Sequence, residues 1–293
     1  MHKVGLVVIF NHKYPQNIKK LESIYRGRFS YIKYLVPFYT ESENEDIIPV
    51  YEGSYFFHGY ISQAYSLFYD ESITHWVFIA DDLILNPAFN ENNILDELTL
   101  DENNSYMESF IKLNEAPWVF NRFENAEMAF QSQSVTYLNE LPNLEDAIKA
   151  ANKYGFKGFE LRKARSTVEK WPKRIMLNIF RSIFPYKTNY PLVEGYSDFF
   201  VICKKDFDEF VRLCGIFAAM NLFVEVAIPT AMMLSCNKIV MQKDIQYRTE
   251  KMGHPHQVVT EFINSCNYSI ARMGDNWPKD YAYLHPIKLS KWK

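Results

Sequence analysis

Glycine is scarce in this 293-residue chain, at 10 residues, and none stands in the turn Asn11-His12-Lys13-Tyr14-Pro15 that follows the first apolar run. A P-loop or a Gly-x-Gly-x-x-Gly dinucleotide turn is thereby excluded at the point where such motifs cradle phosphate. Cysteine is scarce as well. Cys203, Cys214, Cys236 and Cys266 are far apart with no C-x-x-C spacing, so neither a zinc knuckle nor a disulfide framework is suggested. They read as reduced, buried thiols. No apolar stretch approaches the roughly 20 residues of a membrane span, and the run at 4–10 is too short for a signal-peptide core. The expected location is therefore cytoplasmic. An excess of positive charge is missing too, since the formal net charge is -3, and with it the global attraction of a nucleic-acid binder.

Apolar residues, at 48%, are enough for a globular domain of this length, and aromatic residues are plentiful. A large core accounts for most of the aromatic rings. Residues 4–10 form a continuous β-rich apolar run, the mark of a buried parallel strand opening onto a loop. Ile18, Leu21, Ile24 and Tyr25 then recur at helical spacing. Strand patterns follow at 31–38 and 47–51, a helical period at 56–69, and a further strand at 74–80. This alternation predicts an α/β layer with a mainly parallel sheet flanked by helices. Residues 90–104, with five acids and five asparagines, read as an exposed insertion or mobile loop. Beyond them the pattern predicts a helix at 143–154 capped by Asn143, a strand at 196–203, and helices at 205–214 and 224–234.

The most informative stretch is Trp76-Val-Phe-Ile-Ala-Asp-Asp-Leu-Ile-Leu-Asn-Pro87. Two adjacent carboxylates, Asp81 and Asp82, directly follow an apolar strand, where open α/β sheets hold ligands. Neighbouring like charges there need a cation or water between them. Hard divalent ions such as Mg²⁺ or Mn²⁺ take one or two carboxylates plus substrate phosphates. The alternative reading is a solvated turn in which one aspartate caps the next segment.

The run resembles the aspartate motif of GT-A glycosyltransferases, a Rossmann-like fold in which a strand leads into an acidic cluster that holds the metal and the nucleotide diphosphate. Its position after a three- or four-strand first half agrees. Ala80 stands where the first acid of the usual Asp-x-Asp is found, so the resemblance makes Asp82 the metal ligand. Asp81 becomes a second ligand or a donor-ribose contact. The C-terminal segment Tyr283-Leu-His-Pro-Ile-Lys-Leu-Ser-Lys-Trp292 is similar, with shorter spacing, to the His and Lys closure of glycogenin-like and lipooligosaccharide galactosyltransferases. On that likeness His285 completes the metal shell and Lys288 contacts the diphosphate. Neutral imidazole suits Mn²⁺, and lysine suits phosphate oxygens. The pair His254 and His256 competes for the ligand role, its i,i+2 spacing aligning both rings on an extended segment.

The resemblance implies one catalytic domain over 1–293. Residues 1–90 would form the nucleotide-sugar half, 91–190 a variable helical acceptor region, and 191–293 the acceptor-site strand, helices and closure. Phe10 and Asn11 would grip the nucleotide base, and Tyr51 would offer a stacking face. An inverting reaction needs a separate carboxylate to take the acceptor proton, for which Glu225 and Asp198 are the candidates. The expected cofactors are Mn²⁺ or Mg²⁺ and a nucleotide-sugar donor, UDP-linked by preference. The expected partner is a glycan or lipid-linked acceptor. A metal-dependent nucleotidyl- or phosphotransferase and a non-catalytic carbohydrate-binding module remain as other readings of the same residues.

Residues 157–187 carry nine Lys or Arg against two acids, beside a helical stripe of Ile175, Met176, Ile179, Phe180, Ile183 and Phe184. That pattern fits either a helix packed on its own core or peripheral contact with an anionic membrane at the inner face.

Overall fold

The computed structural model describes residues 3–40, 44–115, 125–126, 128–130, 135–159, 190–249 and 257–293. His254, His256 and nearly all of the basic stretch at 157–187 lie outside the described residues.

Among the described residues seven strands form the central sheet. β1 (Val4–Ile9), β2 (Tyr31–Pro37), β3 (Ile47–Val50) and β4 (His75–Ala80) come from the first 80 residues. β6 (Asn104–Met107), β9 (Phe199–Cys203) and β10 (Lys238–Val240) come from the rest. Their spatial order is β10-β6-β9-β4-β1-β2-β3. β3, β2, β1 and β4 run parallel, β10 pairs parallel with β6, and β9 runs antiparallel to both its neighbours, β4 and β6. The architecture is therefore α/β with a large mixed sheet flanked by helices. With β9 the one reversed strand among the seven, the sheet is mainly parallel, as expected.

β1 is buried along its whole length, as its unbroken apolar run requires. Its side chains alternate between faces. Val7 and Ile9 enter one core with Trp76, Phe78, Phe200 and Phe207. Val4, Leu6 and Val8 enter the other with Val77, Ile79, Phe199 and Val201. The first core is covered by α2 (His58–Phe68), α4 (Lys204–Ala219) and α5 (Val224–Ser235), and the second by α1 (Ile18–Tyr25) and α6 (Gln257–Cys266). α3 (Leu144–Asn152) begins as the sequence predicts, with the Asn143 side chain accepting the Asp146 N–H at 3.0 Å.

Residues 90–104 are not an exposed insertion. Ile94 and Leu98 are fully buried and Leu95 and Leu100 nearly so. Asn90 and Asn93 are occupied in a local turn, the Asn93 side chain accepting the Asn90 N–H at 2.8 Å. The acids and amides mark the solvent side of a segment that carries four aliphatic side chains into the core.

Two small sheets complete the frame. β7 (Phe110–Lys112) pairs antiparallel with β8 (Val193–Gly195). β5 (Ile84–Leu85) and β11 (Arg248–Thr249) flank β12 (Tyr281–Leu284) on either side.

Candidate active site

Strand order puts the crevice between β1 and β4. β2 and β3 extend the sheet to one side of β1, whereas β4, β9, β6 and β10 extend it to the other. At such a switch point the loops leaving the carboxyl ends diverge and open a cleft. Asn11 leaves β1 there, and Asp81 and Asp82 leave β4. The reversal of β9 brings its amino end to the same edge, and the Ala80 N–H donates to the Asp198 carbonyl at 2.9 Å. β6 also ends there, followed by the buried Glu108.

His285 arrives from the far end of the chain. β12 pairs antiparallel with β5, Leu284 against Ile84 and Tyr283 against Leu85. Because β5 starts two residues after Asp82, this register carries the end of β12 back to the acidic pair. The Ile287 N–H donates to the Asp82 carbonyl at 2.7 Å, and His285 Nε2 lies 3.1 Å from Asp82 Oδ1. Trp292 is buried against Phe262 and Tyr268 and anchors the tail beyond this point.

Charge and burial compete at Asp81, Asp198 and His285. Asp81 is 5% exposed. Burial, followed by the neighbouring Asp82 charge, pushes its carboxyl up to about 7, against the Asn11 N–H at 3.3 Å and the Asn17 side chain, which hold it down. The Asp198 carboxyl is also raised, by burial first. The His285 charge opposes that rise and Asp82 adds to it. Burial alone would lower the His285 imidazole, yet its hydrogen bond to Asp82 and the surrounding carboxylates bring it above the ordinary histidine value. A cationic group is what this pocket favours. Behind it, the Tyr283 hydroxyl donates to Glu108, and the Tyr196 hydroxyl meets His285 Nδ1 at 2.6 Å.

Asp81, Asp82, Asp198 and His285 thus share one site, with Asn11 joining through its backbone. Glu225 stands in the first turn of α5, a helix start linked to the site's rim by the Ser197 hydroxyl, 3.4 Å from the Val224 carbonyl. Lys288 is exposed, three residues beyond His285. Phe10 is fully buried and packs edge-on against Tyr34, so its ring faces the core. Tyr51 is 61% exposed at the end of β3, where it meets Phe38 edge-to-face. Its N–H donates to Gln63. That puts it two strands away from β1 on the open side of the cleft.

Tyr196, Glu108, Asn17 and Tyr283 are site residues that pattern reading passes over. Glu108 follows Asn-Ser-Tyr-Met, a strand with no apolar run to announce it. Tyr196 had a weak signal, standing two residues before Asp198 at the alternation of an extended segment.

Among the described residues no group of three or more His, Cys, Asp or Glu side chains is arranged to hold a metal ion. One pair of side chains has a spacing compatible with sharing an ion as well as with a hydrogen bond. Adjacent positions on an octahedral ion with ligands at about 2.1 Å lie about 3 Å apart, close to the 3.1 Å between His285 Nε2 and Asp82 Oδ1. The arrangement is therefore an imidazole–carboxylate pair beside a buried, protonatable aspartate. No protein-family model matches the chain, and no curated protein matches it either.

Proposed function

We propose that the chain is a divalent-cation-dependent glycosyltransferase of the GT-A kind, transferring a sugar from a nucleotide-sugar donor, UDP-linked by preference, to a glycan or lipid-linked acceptor. The observation that carries this reading is the meeting of Asp82 and His285, 203 residues apart, at the carboxyl edge of the sheet. A hard cation and a diphosphate account for an acid pair, an imidazole and a nearby lysine at a switch point better than a capped turn does.

A bound Mn²⁺ or Mg²⁺ supplies charge neutralisation of the departing diphosphate. Asp82 and His285 Nε2 are the residues that would hold it. Asp81, accepting the Asn11 N–H, ties the ends of β1 and β4 together and keeps the cleft's floor rigid. Lys288, exposed and just past His285, is free to reach phosphate oxygens. Of the two candidate bases, Asp198 lies within reach of the His285 charge, which opposes the rise of its carboxyl. Glu225, in the first turn of α5, is the other candidate for the group that takes the acceptor proton.

Calorimetric titration with UDP, GDP and CMP, each with and without Mn²⁺, tests the reading. Binding of one nucleotide that requires Mn²⁺ and is lost in Asp82→Ala is the expected result. Failure of all three nucleotides to bind would overturn it.

A further inference from the structure

Two exposed aromatic pairs stand where the parallel strands β2 and β3 end. Phe38 leaves β2 and Tyr51 leaves β3, and the two rings meet edge-to-face with centroids 6.1 Å apart. Tyr55, four residues on in the turn before α2, meets Phe223 at 5.7 Å, and Phe223 directly precedes α5. Phe38 is 55% exposed and Tyr55 68%, so each pair leaves ring surface in water that a core would take up.

Both pairs are fastened through their backbones. Phe38 has a φ of 53°, a left-handed conformation that a bulky residue adopts only where its surroundings impose it, and its N–H donates to the Val50 carbonyl at 2.9 Å. The Gln63 side chain of α2 grips Tyr51 twice, accepting its N–H at 2.8 Å and donating to its carbonyl at 3.4 Å. Asn125 does the same ahead of α5, accepting the Phe223 N–H at 2.6 Å and donating to the Asn221 carbonyl at 2.8 Å. Rings held in this way lose little freedom when a ligand settles on them.

Charge narrows the occupant. No Lys or Arg stands in 37–40, 50–56 or 221–225, whereas Glu52 and Glu225 do, so phosphate, sulfate and anionic lipid headgroups meet repulsion here. The π face of an aromatic ring is negative and attracts weakly positive C–H groups, while tyrosine hydroxyls and carboxylates bond to hydroxyl groups. A neutral pyranose ring offers both, a C–H face and a rim of hydroxyls. The start of α5 joins this edge to the candidate site. Phe223 packs on Tyr55, the next residue's carbonyl is 3.4 Å from the Ser197 hydroxyl, and Glu225 follows. We propose that Phe38, Tyr51, Tyr55 and Phe223 form a stacking subsite for neutral sugar rings of the acceptor. The acceptor role rests on the transferase reading above, whereas the binding of neutral sugar does not.

The full chain, fluorescently labelled, is applied to an array of neutral, sulfated and sialylated oligosaccharides. The neutral oligosaccharide bound best is then titrated calorimetrically without metal or nucleotide. The parent is expected to select neutral oligosaccharides, and Tyr51→Ala and Tyr55→Ala each to weaken binding by about tenfold or more with an unchanged circular dichroism spectrum. Both rings are exposed, so truncating them leaves the core intact. A parent that binds none of the oligosaccharides, or only the anionic ones, would overturn the proposal, as would variants that bind as the parent does. Loss of Mn²⁺-dependent UDP binding in Tyr51→Ala with oligosaccharide binding retained would assign the face to the nucleotide base and overturn it as well. Oligosaccharide binding by a parent that binds no nucleotide would instead overturn the transferase reading and leave the stacking subsite standing.

Discussion

At the scale of single residues, the site holds a carboxyl against its own preference. The Asp81 carboxyl is raised from the ordinary 3.8 to about 7, so the folded chain keeps its proton over a range where the unfolded chain has lost it. The retained proton favours folding most at pH below 3.8, and that advantage is lost as pH rises through about 7. Asp81→Asn removes the cost of the buried charge while preserving size and an acceptor oxygen for the Asn11 N–H. The variant is expected to be more stable than the parent at pH 8, by up to ~4 kcal/mol, and to lose that advantage by pH 4. Urea denaturation across this range checks it. Equal stability at pH 8 would mean that burial does not penalise the charge. The same substitution weakens any cation held nearby, so added stability and reduced Mn²⁺-dependent nucleotide binding should appear together, as they do where function is built on strain.

At the scale of elements, the short β7–β8 pair sets the height of the Tyr196 segment. Gly195 lies between the Ser109 carbonyl and Pro229 of α5, whose Cβ would be 3.3 Å from an added methyl. The Ser109 contact is backbone on both sides, so no rotamer change relieves it. Gly195→Ala should therefore cost about 1–3 kcal/mol, the usual range for overpacking, and should displace Tyr196 from His285. Thermal melting measures the first effect and a ¹⁵N spectrum of His285 the second. A melting temperature equal to the parent's would show that the two strands part without cost. Much of this scale was legible in advance. β1, β2, β3 and β4 appear within a residue of where their apolar runs stand, β1 and β4 because a fully buried strand must be apolar on both faces. The Asn143 cap was legible for a similarly local reason. β6 was not legible, since Asn104-Ser-Tyr-Met107 owes its strand conformation to pairing with β9 and β10.

At the scale of the whole molecule, the site exists because the tail is anchored. Ile287, Leu289 and Trp292 are buried, and Trp292 packs on Phe262 of α6. These contacts, with the β12–β5 pairing, return His285 to Asp82. Trp292→Ala removes the last anchor. Truncation of a buried aromatic typically costs about 3–5 kcal/mol. The tail is expected to loosen first, so Mn²⁺-dependent nucleotide binding should weaken at temperatures where the central sheet is still folded. Circular dichroism at 222 nm beside calorimetric titration separates the two. Full binding up to the global melt would mean that the tail is held by β12 alone.

What the sequence determined by itself is local. The apolar runs of β1 and β4 specify buried strands, and the acids after Ala80 can only emerge at a strand's carboxyl end. The expectation of a ligand at that edge came from that alone. What the tertiary structure decided is which distant groups meet there. The direction of β9 brings Asp198 alongside Ala80, and the β12–β5 register carries His285 onto Asp82. Tyr196, Tyr283 and Glu108 become one hydrogen-bonded and stacked group only once β6, β9 and β12 converge. The same geometry turned Phe10 into the core and left Tyr51 on the outer side of the cleft. Periodicity reports the environment of a residue's near neighbours, whereas pairing across 203 residues is set by sheet order and strand direction, which no short window of sequence contains.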